Sequence, residues 1–152
     1  MMHERKQHTL CTGFTLIEVL LSIAMMAIIA GIGIPIYQSV QIRNDLDIAA
    51  TTLAQSIRRS QVLSQGMDGD TNWGVKVQIG SIIIFRGVSY AARDVSFDEI
   101  FAVPTSIVPS GLSEIVSEKL TGMPQSTGII TFTSALNETR TLTLNAKGNI
   151  NY

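Results

Sequence analysis

The stretch GFTLIEVLLSIAMMAIIAGIGIPIY, residues 13–37, is the most informative part of this sequence for its fold. From Phe14 to Ile34 it is apolar or small apart from three polar residues: Thr15, Glu18 and Ser22. As a helix these residues would extend over about 31 Å, which matches the hydrocarbon core of a bilayer. An ionised carboxylate inside a membrane span costs roughly 2.5–3.5 kcal/mol, so Glu18 requires a partner or a route to the interface.

The composition disfavours an enzyme and a metal centre. The 152-residue chain has one cysteine, Cys11, and two histidines, His3 and His8, all of which precede the apolar stretch. If that short segment is removed, the remainder has no thiol nucleophile, no imidazole base and almost no way to build a zinc site. We therefore expect no enzymatic activity, no catalytic residues, no cofactor and no bound metal. The net charge of −1 gives no basic surplus, so we do not expect nucleic acid as a partner.

Four segments follow one another along the chain. Residues 1–13 form a short polar segment, and its cations Arg5 and Lys6 favour a cytoplasmic N-terminus and an exported C-terminal part. Residues 14–35 form the predicted membrane helix, and Pro35 is expected to kink it. Residues 36–66 continue as an amphipathic helix that ends near Gly66. Its apolar face is formed by positions spaced three or four apart: Ile42, Leu46, Ala49, Leu53 and Ile57.

Residues 67–152 have the period of two that is typical of strands. WGVKVQI (73–79) and SIIIF (81–85) predict one hairpin, and GIITFTS (128–134) and RTLTLNA (140–146) predict another. Shorter strands are expected near 99–103 and 113–117. Such a small set of strands needs a partner layer, and the apolar face of 42–57 is the obvious one. We expect a single antiparallel sheet packed on the helix, an α+β fold.

The residues Gly13-Phe14-Thr15-Leu16-Ile17-Glu18 resemble the cleavage and methylation signature of type IV prepilins and type II secretion pseudopilins. The likeness extends to a short charged leader ending in Gly13, to Glu18 as the fifth residue after it and to Pro35 as the twenty-second. It implies a type IV pilin-like fold. It also implies a single-pass protein of the cytoplasmic (inner) membrane with an exported C-terminal head, which later forms part of an extracellular or periplasmic filament.

The resemblance also assigns roles to individual residues. Prepilin peptidase would cut between Gly13 and Phe14 and methylate the new amino group of Phe14. Glu18 would pair with the Phe14 amine of a neighbouring subunit, and the helix would lose order around Pro35 in the filament. The implied partners are the peptidase, membrane lipid, and other pilin or pseudopilin subunits that bind through the N-terminal helix. Glu18 has a simpler alternative, which is to reach the membrane interface from near the helix start.

Several alternatives stay open at this point. The subunit could belong to a pilus or to a secretion pseudopilus, and the ending TLTLNAKGNI loosely resembles the H-type minor pseudopilins. A DNA-binding minor pilin would use cations such as Arg58, Arg59 and Lys147. The stretch 68–72 has part of a calcium-loop spacing, although Trp73 and Ile79 occupy positions where that pattern needs Gly and Glu, which favours a simple turn. A serine–lysine catalytic pair has no supporting motif.

Overall fold

The computed structural model describes the backbone of residues 13–152 and the side chains of these residues except 32–36 and 38. The predicted leader, residues 1–13, therefore lies almost wholly outside the described residues. The elements in chain order are α1 (Leu16–Gln65), a 3₁₀ turn (Asp68–Asp70), β1 (Trp73–Gln78), β2 (Ser81–Arg86), β3 (Asp94–Ala102), β4 (Val108–Gly111), β5 (Glu114–Ser117), β6 (Gly128–Thr133), β7 (Thr139–Leu144) and β8 (Ile150–Asn151). The α+β class with antiparallel strands is confirmed.

Contacts divide the chain into two units with the boundary between Gln38 and Ser39, and α1 contributes residues to both. In the first unit every side chain described from Gly13 to Gly31 is exposed. Across the described residues no helix is both long enough and apolar enough to cross a membrane. The backbone at Pro35 is helical, but its side chain lies outside the described residues, so the kink stays a prediction.

The core of the second unit lies between α1 and the strands. The predicted apolar face is confirmed, since Leu46, Ala49, Leu53 and Ile57 are each fully buried and Ile42 is half-buried. They form one hydrophobic cluster with the expected strand residues: Val75, Val77, Phe132 and Leu142. Burying one such aliphatic or aromatic side chain contributes roughly 1.5–3 kcal/mol. The packing of α1 on the strands is therefore a main source of stability for the second unit.

The prediction of a single sheet is wrong, because the strands form two four-stranded sheets. Sheet A has the order β3-β2-β1-β5 and sheet B the order β4-β6-β7-β8, with every pair antiparallel. The chain passes from B to A just after Gly111, whose φ of 89° suits glycine. Leu112 N–H still bonds to Ile129 O of sheet B, whereas Ser113 O already accepts from Val77 N–H of sheet A. This crossing separates the strands into two sheets, whereas the alternation of apolar and polar residues in the sequence is compatible with a single sheet.

Both predicted hairpins are confirmed. β1 and β2 are joined by a two-residue loop that ends in Gly80, with a φ of 84°, and β6 pairs with β7 along its length. The strand expected at 99–103 is longer and begins at Asp94, and the one expected at 113–117 is β5. The sequence missed β4, which contains Pro109, and β8, which has only two residues.

The helix ends where expected, but a different residue makes the turn. α1 stops at Gln65, and Gly66 N–H bonds to Val62 O at 2.9 Å. The left-handed conformation falls on Met67, with a φ of 54°, and not on Gly66.

Candidate functional site

The predicted cleavage site lies in exposed, non-helical backbone. Gly13 and Phe14 precede Leu16, the first residue of α1, and the Phe14 side chain is 84% exposed. A Cβ built on Gly13 would meet no atom within 4 Å, so nothing described in the fold crowds this position. A peptidase would therefore not have to unwind α1 to reach the Gly13–Phe14 bond.

Thr15 and Glu18 together form the start of α1. The Thr15 Oγ1 accepts from the Glu18 N–H at 3.3 Å, and the Thr15 O accepts from the N–H groups of Glu18 and Val19 at 3.1 and 3.2 Å. Thr15 is thus the N-cap and Glu18 the third helical residue, the spacing of a capping box. Our sequence reasoning missed this role, although T-x-x-E before an apolar run is a recognisable signal.

The position of Glu18 gives the acid a use inside its own subunit. It is the acidic residue of the first turn, where the helix dipole stabilises a negative charge by roughly 0.3–1 kcal/mol at exposed sites. One turn further on, the Ser22 hydroxyl donates to the Glu18 carbonyl oxygen at 2.8 Å. The Glu18 carboxylate itself is exposed and is open to a partner from another chain.

The residues after Phe14 present apolar side chains on every side of the helix. All eleven large apolar side chains from Phe14 to Ile29 are exposed, by 47–84%. A helix that is apolar all round is stable only when lipid or other helices cover it. The second unit has a hydrophobic core of its own.

Ion pairs connect α1 to β3, to β7 and to the turn before β7 in the second unit. Arg43 holds Glu138 through Nε at 2.9 and 3.1 Å, and Arg59 holds Glu99 through Nε at 2.9 Å and Nη2 at 2.6 Å. Arg140 of β7 reaches back to Asp47 at 2.6 Å. The hydrogen bond that Arg43 donates to Glu138 raises the pKa of Arg43, and the bond that Arg59 donates to Glu99 raises the pKa of Arg59.

These pairs bear on the alternative of DNA binding. Arg59 is one of the three cations named for it, and its guanidinium is occupied by Glu99. Arg58 is exposed, and Lys147 lies in the turn before β8, whose Gly148 O accepts from Gln61 of α1 at 3.0 Å, so the ion pair of Arg59 is what weighs against a shared basic surface.

The calcium-like stretch is a turn in the structure. The Asp70 carboxylate pairs with Lys119 at 2.6 Å, and Asn72 Oδ1 accepts from the Lys119 N–H at 3.0 Å. The Asp68 carbonyl oxygen accepts from the Trp73 indole at 2.9 Å. No group of three or more His, Cys, Asp or Glu side chains within the described part of the chain could hold a metal ion.

One serine and one lysine do meet in the fold. Lys76 Nζ lies 3.4 Å from Ser113 Oγ, 3.7 Å from Glu114 and 5.6 Å from the centre of the Tyr90 ring. The cavity beside Ser113 is about 50 Å³, enough for a water or two and not for a substrate. The loop that carries Tyr90 is held by two contacts. The Tyr90 ring lies beside Lys76, and the Tyr90 N–H bonds to Glu114 Oε1 at 2.8 Å.

Gly13, Phe14 and Glu18 lie at the exposed start of α1 beside the N-cap Thr15, and their roles in cleavage, methylation and assembly stay predictions. No protein-family model matches the chain, and no solved structure matches it.

Proposed function

We propose that this protein is a structural subunit of a type IV pilus-like filament. In this proposal the chain is inserted in the membrane through residues 14–35, cleaved after Gly13 and N-methylated at Phe14. It then assembles through the same helix. The role is structural and not catalytic, and it needs no cofactor.

One observation carries the proposal: a prepilin-like signature lies at the exposed start of a helix whose apolar side chains are exposed on every side. Lipid can cover this surface before assembly and the helices of neighbouring copies can cover it afterwards. A folded unit with its own core, beginning at Ser39, is available as the exported head.

The position of Glu18 supports the assembly step. Its carboxylate is exposed on a helix surface that is otherwise almost wholly apolar, and the cleaved Phe14 would supply a free amine only four residues away in sequence. In a helical bundle the two charges each lose water, and mutual pairing between neighbouring copies offsets that loss. Such a pairing would fix the axial position of one copy against the next.

A secretion pseudopilus remains within the same proposal, because both assemblies would use these residues in the same way. A DNA-binding minor pilin is the weaker alternative, since Arg43, Arg59 and Arg140 all form ion pairs within the fold.

Processing tests the proposal directly. Co-expression with a prepilin peptidase should give a chain whose intact mass corresponds to a start at N-methylated Phe14. Gly13→Leu should stay uncut, and Gly13→Ala should be cut slowly or in part. A wild-type chain that keeps its first thirteen residues in the presence of an active peptidase would refute it.

A further inference from the structure

One buried serine of α1 has a hydroxyl group that the fold does not use. The buried polar residues of the described chain are Ser56, Ser60, Ser64, Ser117 and Ser134. Four of them form side-chain hydrogen bonds of 2.8–3.1 Å, whereas the hydroxyl of Ser56, which is only 3% exposed, bonds to no described residue. Among the described residues no side-chain oxygen or nitrogen is both unpaired and sealed from solvent, so the Ser56 hydroxyl opens to the outside.

The Ser56 hydroxyl opens into a groove between α1 and the strands β2 and β3. The groove has a volume of about 420 Å³ and is lined by residues of these three elements. A space of this size is within the range of small-molecule sites. On the helix side, Thr52, Ser56 and Arg59 follow one another at spacings of four and three, which places their side chains in one row along α1.

The helix side of the groove supplies further hydrogen-bonding groups. The Thr52 hydroxyl and the Gln55 amide, like the Ser56 hydroxyl, form no hydrogen bond within the part of the chain that the structure describes. A hydroxyl group both donates and accepts, and an amide does so through separate atoms. These three side chains can therefore bind several hydroxyl groups of one ligand.

The two charged residues of the groove neutralise each other. Arg59 donates to Glu99 through Nε at 2.9 Å and through Nη2 at 2.6 Å, which joins the guanidinium and the carboxylate by two bonds. A charged ligand would have to break this pair or lie beside it without a counterion, and either costs free energy. The groove is therefore suited to an uncharged ligand.

The strand side of the groove is apolar. Ile84 of β2 is fully buried, and the Phe101 side chain of β3 is 36% exposed. The Phe101 ring contacts no other aromatic ring and no cation among the residues described. The face of an aromatic ring is weakly negative, so it attracts the weakly positive C–H groups of a ring that lies on it.

We propose that this groove binds a neutral sugar, a mono- or disaccharide. Such a ligand has a ring face of C–H groups for Phe101 and a rim of hydroxyl groups for Gln55 and Ser56, and it leaves the ion pair of the groove intact. A flat apolar ligand would satisfy only the strand side, and a polyol without a ring only the helix side. The site lies wholly within Ser39–Tyr152 and depends on neither cleavage nor filament assembly.

NMR titration of the full, uncleaved chain tests the proposal. The chain is held in micelles of a detergent without a sugar headgroup, and glucose, galactose, mannose and N-acetylglucosamine are added one at a time. At least one of them should shift the backbone amide signals of residues 52–59 and 99–101 until they saturate. Glycerol at the same concentration should not, since it has hydroxyl groups but no ring. No saturable shift with any of the four sugars, or an equal shift with glycerol, would overturn the proposal.

A charged analogue tests the preference for a neutral ligand. Glucuronate has the ring of glucose with an added carboxylate, and it should bind roughly tenfold or more weakly than the best of the four sugars, because its charge meets an ion pair that is already complete. Equal or tighter binding of glucuronate would mean that Arg59 is available to anions and would overturn the assignment to neutral sugars.

Variants test whether the sugar lies in the groove. Ser56→Ala should weaken binding by roughly fivefold or more, yet leave the urea midpoint unchanged, because the hydroxyl has no partner in the fold. Phe101→Leu keeps an apolar side chain without the ring face and should also weaken binding. Thr51→Ala is the matched control for Thr52→Ala, since Thr51 is the preceding residue of α1 but lies outside the groove. Unchanged affinity in both Ser56→Ala and Phe101→Leu would place the sugar elsewhere and overturn the proposal.

Discussion

The Thr15 hydroxyl oxygen accepts a hydrogen bond from the Glu18 amide at 3.3 Å and so caps the first turn of α1. Two residues of the signature are thereby linked within one chain. The signature has a local role, which is to start the helix directly after the predicted cleavage bond, in addition to its proposed role between chains.

Thr15→Ala should loosen the first turn of α1. Loss of an N-cap hydroxyl costs about 1 kcal/mol, which corresponds to a roughly fivefold larger population of the open turn. Hydrogen exchange of the Glu18 and Val19 amides in detergent micelles measures this opening. Thr15→Ser keeps the acceptor and should exchange like wild type, so equal exchange in Thr15→Ala would show that the cap contributes nothing.

Gly74→Ala should destabilise the second unit. A Cβ at Gly74 would collide with the Phe85 ring and lie 2.8 Å from the Ile115 carbonyl oxygen, which belongs to the neighbouring strand and cannot move freely. Overpacking of this kind typically costs about 1–3 kcal/mol, enough for a clear drop in the urea midpoint.

Gly128→Ala is the matched control for that variant, because the same Cβ in β6 would meet Leu112 at an ordinary 3.7 Å. Its unfolding midpoint, followed by Trp73 fluorescence, should stay near that of wild type. Equal loss in both variants would mean that the contacts with Phe85 and Ile115 do not set the cost.

The stability contributed by Asp94 should depend on pH. Hydrogen bonds from the Ser96 hydroxyl at 2.6 Å and the Ser96 N–H at 3.1 Å lower the pKa of Asp94, and Arg86 lowers it further. A carboxyl whose pKa is lower in the folded state stabilises the fold above its unfolded pKa of about 3.9. That contribution is lost as the pH falls through the folded value.

Thermal unfolding of wild type and Asp94→Asn across pH 2–7 measures the contribution of the Asp94 charge. At pH 7 the unfolding midpoint of wild type should be higher than that of Asp94→Asn. The difference between the two midpoints should disappear near pH 2. Ser96→Ala, which removes one of the two Ser96 bonds, should give a smaller difference of the same sign. A difference that stays constant with pH would assign the effect to shape and not to charge.

The spacing of apolar residues predicted the buried face of α1 as far as Ile57 but not its continuation. Ser60 and Ser64 extend the same spacing and are fully buried, although serine reads as polar in a sequence. The Ser64 hydroxyl accepts from the Trp73 N–H at 2.9 Å and donates to Ser117 O at 3.0 Å. The apolar pattern fades because small hydroxyl residues replace large apolar ones, while the same face stays buried.

The division into two sheets could not be read from the pattern. Alternation specifies which face of a strand is buried, but it does not specify which edge pairs with which. Strand β2 is a second case in which the alternation pattern does not predict the contacts. Both its faces are buried, and Phe85 on the face away from α1 lies edge-on to Tyr90 at 5.6 Å, a contact made by a loop outside the strand pattern.

The proposed pairing of Glu18 predicts a defect in assembly and none in insertion. Its partner, the Phe14 amine, exists only after cleavage, so Glu18→Gln should insert and be processed normally. Glutamine can occupy the third position of a capping box as glutamate does, so the start of α1 should also be preserved. The substitution therefore removes the charge and leaves the local structure in place, which Thr15→Ala does not.

In the filament the same substitution leaves a neighbour's ammonium buried without its counterion. Removing one member of a well-buried ion pair costs on the order of 3–5 kcal/mol, far more than the loss of a cap. Processed Glu18→Gln subunits, expressed beside wild type, should therefore be depleted by at least tenfold in sheared filaments relative to the membrane pool. If Glu18 only reaches the membrane interface, a polar amide should serve as well, and incorporation should match wild type. That second outcome would falsify the pairing and leave Glu18 with its role at the start of the helix alone.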